Sequence, residues 1–349
     1  MSSLQWRREE TLDLVKRLAA VGYFIDYPTA LKVVKWLARR TRPLILEGPP
    51  GGGKTSLAKA LSEVYRSPLY RLQCFKGIGA NEALYRWDAR LQDLGKELYV
   101  NKHGRLPETA DELAGIIYDP RMRLPGVFAR ALDDPNKDTF VLVDEIDKVE
   151  ADGATEAMFL QFFDEQTIEV VETHEQLQPR DGQMRHLIVT SNAGIAGSSM
   201  RETLSHPMLR RSNYIYVPEP DLSRRYAILR MAAPGLPREV IRDAALFAHH
   251  ASTTALDKPI ALSETKEWVA DLAYLRVGGL TRDAVVATID SLAKINTDVM
   301  RLERNLGVIF QQIENTRDAL DRDIDALDKE LDGLSAVASE MGETPLVAA

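Results

Sequence analysis

The chain has almost no cysteine, no long apolar run and no secretory signal. Cys74 is the only cysteine among 349 residues, which excludes an intramolecular disulfide and a cysteine-based metal site. No apolar run approaches the length that crosses a membrane. The N-terminus carries too many charges for a signal peptide. We therefore expect a cytoplasmic protein without a membrane segment, in which Cys74 is a buried apolar residue.

The charge balance lacks the strong positive excess of a protein that coats nucleic acid. The formal net charge is −8, and apolar residues make up 45% and charged residues 28% of the chain. This composition is typical of a globular protein and makes nucleic acid an unexpected partner. Residues 1–43 nevertheless carry nine Lys/Arg against four Asp/Glu, so a local basic surface at the N-terminus stays open.

A glycine-rich loop lies between the apolar run 44–47 and a helical pattern. It has the form G-x-x-x-x-G-K-T and comprises Gly48, Pro49, Pro50, Gly51, Gly52, Gly53, Lys54, Thr55 and Ser56. Glycine lets backbone N–H groups approach phosphate oxygens, and the following helix contributes the positive end of its dipole. We expect Lys54 to bind the β- and γ-phosphates and the Thr55 hydroxyl to hold Mg²⁺. The loop predicts a nucleoside-triphosphate site.

Two further apolar runs end in polar residues. Residues 140–143 lead into Asp144 and Glu145, and residues 187–190 lead towards Asn192. We expect Asp144 to hold the Mg²⁺ shell beside Thr55, and Glu145 to polarise the attacking water. Asn192 is suited to orient that water because its amide donates and accepts without titrating. Capping of the following turn is the alternative for Asn192.

Strand patterns alternate with helical patterns up to about residue 219, which predicts an α/β fold with a parallel sheet. The remainder is helical in pattern. The predicted organisation is N-terminal helices at 1–43, an α/β core at 44–219, a helical lid at 220–296, a heptad helix at 297–334 and a loose tail at 335–349.

The heptad helix has apolar residues at alternating spacings of three and four, and Arg317 occupies one inner position. Such a stripe is typical of a coiled coil or a long helical hairpin. A helix that packs its stripe on its own domain produces the same pattern. The sequence leaves both alternatives open.

The three motifs, together with residues 70–77, 82–87, 144–148 and 190–192, resemble the MoxR family of AAA+ ATPases and its CoxD-like branch. The similarity runs from about residue 20 to residue 300. It implies an AAA+ P-loop sandwich with an α-helical lid subdomain, ATP and Mg²⁺ as cofactors, and a hexameric ring with each site at a subunit boundary. It also implies a β-hairpin insert, which we place within residues 167–182.

The resemblance assigns three arginines. Arg211, with Arg210 beside it, matches the finger that reaches the neighbouring subunit's γ-phosphate. Arg282 matches the lid arginine that contacts phosphates, although an ordinary surface arginine at a helix start is an equal alternative.

The function that the resemblance implies is chaperone-like remodelling or assembly of a protein client, with a separate von Willebrand factor A-domain partner. One alternative is a motor subunit of a nucleic-acid-directed restriction or phage-defence complex. A scaffold that does not hydrolyse nucleotide is opposed by the Asp144–Glu145 pair, and a small-molecule kinase has no need of a trans arginine.

Overall fold

Residues 3–39, 42–149, 153–192 and 204–340 are described by a computed structural model, without the side chains of 3–7, 153–154, 326 and 330–340. They form two units built from discontinuous segments. The sheet unit contains Lys35–Gly48 and Tyr65–Tyr216. The helical unit contains Met1–Val34, Pro49–Val64 and Val217–Ala349.

Nine strands are present in the described residues. They are β1 Leu44–Glu47, β2 Leu69–Gln73, β3 Tyr85–Trp87, β4 Arg123–Pro125, β5 Asp138–Asp144, β6 Ile168–Val170, β7 Glu175–Leu177, β8 Met184–Ser191 and β9 Asn213–Tyr216. Five of them form a sheet in the order β2-β5-β8-β1-β9, and all neighbours are parallel. The predicted α/β fold with a parallel sheet is confirmed. The runs 140–143 and 187–190 lie on its central strands, which are buried on both faces.

Fourteen α-helices are described. They are α1 Ser3–Ala20, α2 Tyr27–Arg39, α3 Lys54–Val64, α4 Ala80–Ala83, α5 Ala89–His103, α6 Ala110–Ile117, α7 Val127–Asp133, α8 Gly153–Glu165, α9 His206–Arg210, α10 Leu222–Ala232, α11 Arg238–Ser252, α12 Leu262–Tyr274, α13 Arg282–Leu292 and α14 Asn296–Glu340. Short 3-10 turns follow at Pro120–Met122 and Ile146–Lys148.

Two small antiparallel ribbons extend the sheet unit. The strands β3 and β4 form one ribbon, and α5 and α6 lie between them in the chain. The strands β6 and β7 form the other ribbon, which is a hairpin. The sequence patterns did not indicate α5, because none of its residues is buried and its apolar spacing is weak. The side chain of Asp88 starts this helix by accepting from two backbone N–H groups. The predicted hairpin insert exists, but its turn lies at 171–174, before residues 178–182.

The helical unit has a core of large buried side chains from α10 to α14. Tyr226, Phe247 and Trp268 are fully buried, and α14 adds its apolar stripe. Of the predicted stripe, Leu306, Ile313, Leu320 and Ile324 are buried, and Phe310 and Leu327 are partly buried against the same core. Leu302 and Ile309 of this helix are also buried, although the predicted stripe did not include them. The structure therefore places these heptad residues inside their own unit. The side chains of Leu331 and Leu334 lie outside the described part of the chain.

The division into units differs from the predicted succession of segments. The helix α1 packs against both α3 and α14, so the beginning, the P-loop helix and the end of the chain belong to one unit. These contacts join residues far apart in sequence, and no local pattern reports them. The helix α14 continues to Glu340, past the predicted end at 334. Residues 341–349 of the predicted tail lie outside the described residues.

Candidate nucleotide site

The glycine-rich loop follows β1 and leads into α3, which is the predicted strand–loop–helix context. Gly51 has φ +77° and Gly53 has φ +86°, in the left-handed region that favours glycine. A Cβ on Gly51 would lie 3.2 Å from the Ala261 Cβ. Glycine is therefore needed at Gly51 both for the backbone conformation and for the close approach of the chain before α12.

Lys54 starts α3 and is buried, with Nζ donating to the Pro49 carbonyl oxygen at 2.7 Å. The ammonium group is thus folded onto the loop that precedes it. Thr55 is half-buried in the first turn of the helix and Ser56 is exposed. The positive end of the helix dipole lies at this turn, which favours an anion there.

Tyr23 supports the loop from the turn between α1 and α2. Its hydroxyl donates to the Gly53 carbonyl oxygen at 3.3 Å. Burial raises the pKa of Tyr23 to about 12, so the phenol stays a donor well into the alkaline range. Nothing in the sequence pattern indicated this contact, since Tyr23 lies outside the predicted helices and motifs.

The carboxyl ends of the parallel strands place three predicted residues at one edge of the sheet unit. Gly48 follows β1, Asp144 ends β5 and Asn192 follows β8. The Gly48 N–H donates to the Ser191 carbonyl oxygen at 3.3 Å, which joins two of these ends directly. Because the loop begins at Gly48, this edge is also where it leaves the sheet.

Asp144 is almost completely buried, at 1% exposure, and its carboxylate is held on both oxygens. Arg71 donates to Oδ2 from Nε at 2.9 Å and from Nη2 at 2.6 Å. The Thr190 hydroxyl donates to Oδ1 at 2.5 Å. Both partners come from the strands that flank β5, so the sheet itself orients the carboxylate.

Glu145 adopts a left-handed backbone conformation with φ +57°, which is uncommon for a residue with a Cβ. Its N–H donates to the Thr190 Oγ1 at 2.8 Å. Its Oε2 accepts from Gln73 Nε2 at 2.8 Å. The two carboxylates thus have different partners, because Asp144 accepts from Arg71 and Glu145 accepts from Gln73.

Asn192 is buried, and its backbone N–H donates to Asp147 Oδ1 at 2.8 Å. Asp147 is fully buried, and its Oδ2 has no partner within the described residues. Sequence reasoning missed Asp147, although it is two residues after Glu145. It also gave no role to Arg71 and Gln73, whose alternation on a strand next to two carboxylates was an available signal.

Cys74 lies beside this edge and is buried, as predicted. Burial raises the pKa of its thiol to about 12, and the nearby carboxylates of Asp144, Asp147 and Glu145 act in the same direction. The thiol is therefore neutral at physiological pH, and it serves as a small apolar side chain.

The three predicted arginines are all exposed. Arg211 pairs with Asp164, with Nε 2.5 Å from Oδ2. The Arg210 guanidinium makes no hydrogen bond or ion pair to the described residues, while the Arg210 carbonyl oxygen accepts from Arg42. Arg282 is the first residue of α13, and its Nη2 lies beside Gly307 of α14.

The donor chemistry fits Mg²⁺. Thr55 and Asp144 each offer a hard oxygen, and Mg²⁺ bound to phosphates and water needs only one or two carboxylates from a protein. No group of three or more His, Cys, Asp or Glu side chains in the described residues could hold a metal ion by itself.

The comparison with protein families agrees with this arrangement. The family model described as AAA domain (dynein-related subfamily) matches residues 43–211. Residues 43–211 are similar to an AAA domain. This AAA segment contains the glycine-rich loop, both acids, Asn192 and the two arginines at 210 and 211. With the parallel sheet and the helical C-terminal part, the predicted AAA+ fold class is confirmed.

Among solved structures, a mutant of Thermotoga maritima RuvB is similar to this chain at 16% sequence identity and a TM-score of 0.43. That match covers 95% of this chain and 88% of the RuvB chain. No curated protein matches the chain. Within the described part of the chain, no helix has the length and hydrophobicity to span a membrane.

Proposed function

We propose that this protein is a cytoplasmic ATPase of the MoxR type, in its CoxD-like branch, that remodels or assembles a protein client. One observation carries the proposal. Asp144 and Glu145 end a buried central strand at the same sheet edge from which the phosphate-binding loop departs at Gly48. A loop for the triphosphate, a carboxylate for the metal and a second acid for the water are what hydrolysis requires.

Each residue then has a chemical task. Lys54 binds the β- and γ-phosphates through its ammonium group, and Thr55 with Asp144 would hold Mg²⁺. Glu145 accepts a hydrogen bond from the attacking water, which Asn192 also orients. The water oxygen bonds to the γ-phosphorus as its proton passes to Glu145 and the bond to the β–γ bridging oxygen breaks, which gives ADP and inorganic phosphate. Mg²⁺ held by Thr55 and Asp144 would supply positive charge that neutralises the phosphate oxygens.

The exposed arginines support a shared site. Arg210 and Arg211 lie at the end of α9, and the Arg210 guanidinium is not engaged within the described chain. We propose that one of them reaches the γ-phosphate of a neighbouring subunit in a hexameric ring and neutralises developing charge there. Arg282 is the candidate for a phosphate contact from the lid. A separate von Willebrand factor A-domain protein would connect the ring to its client.

Matched variants test the nucleotide chemistry. Lys54→Ala should abolish ATP binding, and Lys59→Ala, an exposed lysine of the same helix, should bind as the wild type does. Glu145→Gln should bind ATP but lose turnover, because the amide is a far weaker proton acceptor. Glu169→Gln, an exposed acid on β6, is its control. Equal phosphate release by wild type and Glu145→Gln would remove Glu145 from the mechanism.

The Glu145→Gln variant also tests for the client, because it should keep ATP bound without hydrolysing it. ATP-loaded Glu145→Gln protein, isolated from its natural cells, should retain a protein client and an A-domain partner that Lys54→Ala does not retain. Stimulation of hydrolysis by duplex DNA, with binding that weakens steeply as salt rises, would instead favour the nucleic-acid-directed motor.

A further inference from the structure

The carboxylate of Asp144 already has a cationic partner in the structure. Arg71 donates twice to Oδ2, at 2.9 and 2.6 Å, while Thr190 donates to Oδ1. The side chain of Asp144 is 2% exposed. An ionised carboxylate buried to this degree needs a counter-charge or several hydrogen bonds, and Arg71 provides both.

Arg71 is placed so that it can leave. It lies on β2, the edge strand of the sheet, and its side chain is 46% exposed. Its guanidinium can therefore reach water when it leaves the carboxylate, whereas the buried Asp144 carboxylate then needs another cation in its place. Thr190 keeps its hydrogen bond to Oδ1 throughout, so the carboxylate would retain its orientation.

The same carboxylate is the proposed protein ligand of Mg²⁺. Arg71 occupies Oδ2 with two N–H groups, and its positive charge repels a divalent cation that approaches this oxygen. The metal must displace or outcompete the guanidinium.

We propose that Arg71 is a positioning residue that acts as the counter-ion of Asp144 before the metal arrives and competes with Mg²⁺ for that carboxylate. This inference rests on the proposed nucleotide site. It makes the metal affinity of the site weaker than Asp144 alone would give. Metal loading consequently depends on the phosphates that accompany it.

The test measures the Mg²⁺ concentration that gives half of the maximal rise in Tm, at a fixed saturating concentration of ADP. Arg71→Gln removes the charge while keeping a polar side chain. Its Mg²⁺ midpoint should fall about fivefold, as expected for the loss of a partly solvated cation at close range. Arg71→Lys keeps the charge but loses the two-donor contact, so its midpoint should fall by a smaller factor. Arg90→Gln, an exposed arginine on α5, should match the wild type.

The outcomes separate the two proposals. If ADP and Mg²⁺ fail to raise the Tm of the wild type, the proposed function is wrong. If the wild type responds but Arg71→Gln has an unchanged or higher midpoint, only the role of Arg71 is overturned. Should Arg71→Gln fail to fold, the decision passes to Arg71→Lys, for which an unchanged or higher midpoint also overturns the inference.

Discussion

Arg317 of α14 donates from Nη2 to Asp243 Oδ2 of α11 at 2.8 Å, and from Nε to Oδ1 at 3.2 Å. Arg317 is the charged residue that interrupts the apolar stripe of the heptad helix. Asp243 is 7% exposed, and Arg242 also donates to it. The interruption is therefore an ion pair inside the helical unit.

Removing one partner of this ion pair should cost more stability than replacing both partners with apolar residues. Asp243→Ala should lower the free energy of unfolding by about 2 kcal/mol, because two guanidinium groups lose a buried partner. Asp243→Leu combined with Arg317→Leu should recover most of that loss, since an apolar pair fits the surrounding core. Urea denaturation followed by circular dichroism measures both. Asp318→Ala, at an exposed position of α14, is the control. A double variant as unstable as Asp243→Ala would contradict the prediction.

Mutating the apolar stripe of α14 should lower stability by an amount that does not depend on association between chains. Ile313 is 1% exposed in the helical unit, so Ile313→Ala should cost about 3 kcal/mol. Val308 is 59% exposed on the same helix, and Val308→Ala should change stability by less than about 0.5 kcal/mol. Urea titrations at a low and a high protein concentration should give the same loss for Ile313→Ala. A loss that depends on concentration would indicate an intermolecular coiled coil.

The proposed shared site predicts recovery on mixing two inactive proteins. Glu145→Gln subunits keep the finger arginines, and Arg210→Ala/Arg211→Ala subunits keep the water-positioning acid. A boundary between one subunit of each kind contains a complete site, so phosphate release should reappear in the mixture. Mixing Glu145→Gln with Lys54→Ala/Arg210→Ala/Arg211→Ala removes that complete site and is the control. No recovery, from subunits shown to assemble together, would make the site complete within one chain.

Cys74 should be unreactive in the folded protein. The pKa of its thiol is raised from about 9 in the unfolded chain to about 12, so at pH 8.5 the folded state holds the unreactive protonated form. Labelling by iodoacetamide at that pH should therefore be slow in the native protein and rapid in urea, as measured by mass spectrometry. Between these pKa values the unfolded thiol loses its proton more readily, so the contribution of Cys74 to stability declines as pH rises from 9 to 12. Fast native labelling would contradict its burial.

Much of the α/β fold was predictable because its strands are buried on both faces. A strand such as β5 is then apolar at each position from 140 to 143, directly before Asp144, and a parallel sheet gathers such ends at one edge. The helices α10 to α13 were also predictable from their apolar spacing. The helix α5 was not, because it buries none of its side chains and its start depends on one hydrogen-bonding cap at Asp88.

The hydrogen bonds around the acids were beyond the sequence. Arg71 and Gln73 are ordinary polar residues of an edge strand until β2 is paired with β5, which sets Gln73 opposite Asp144. Asp147 and Tyr23 acquired their partners in the same way, through contacts between distant segments. A local sequence pattern reports residue types and spacings, and it cannot predict contacts between residues that are far apart in the chain.

By itself, the sequence determined the glycine-rich loop, the order of the strands along the chain and the two acids after β5, because each depends on residue type at fixed spacing. Only the tertiary structure decided that Arg71 neutralises Asp144, that Glu145 accepts from Gln73 and that Arg317 pairs inside its own unit. Those outcomes depend on which strands and helices become neighbours, and burial makes each buried charge require the partner it finds there.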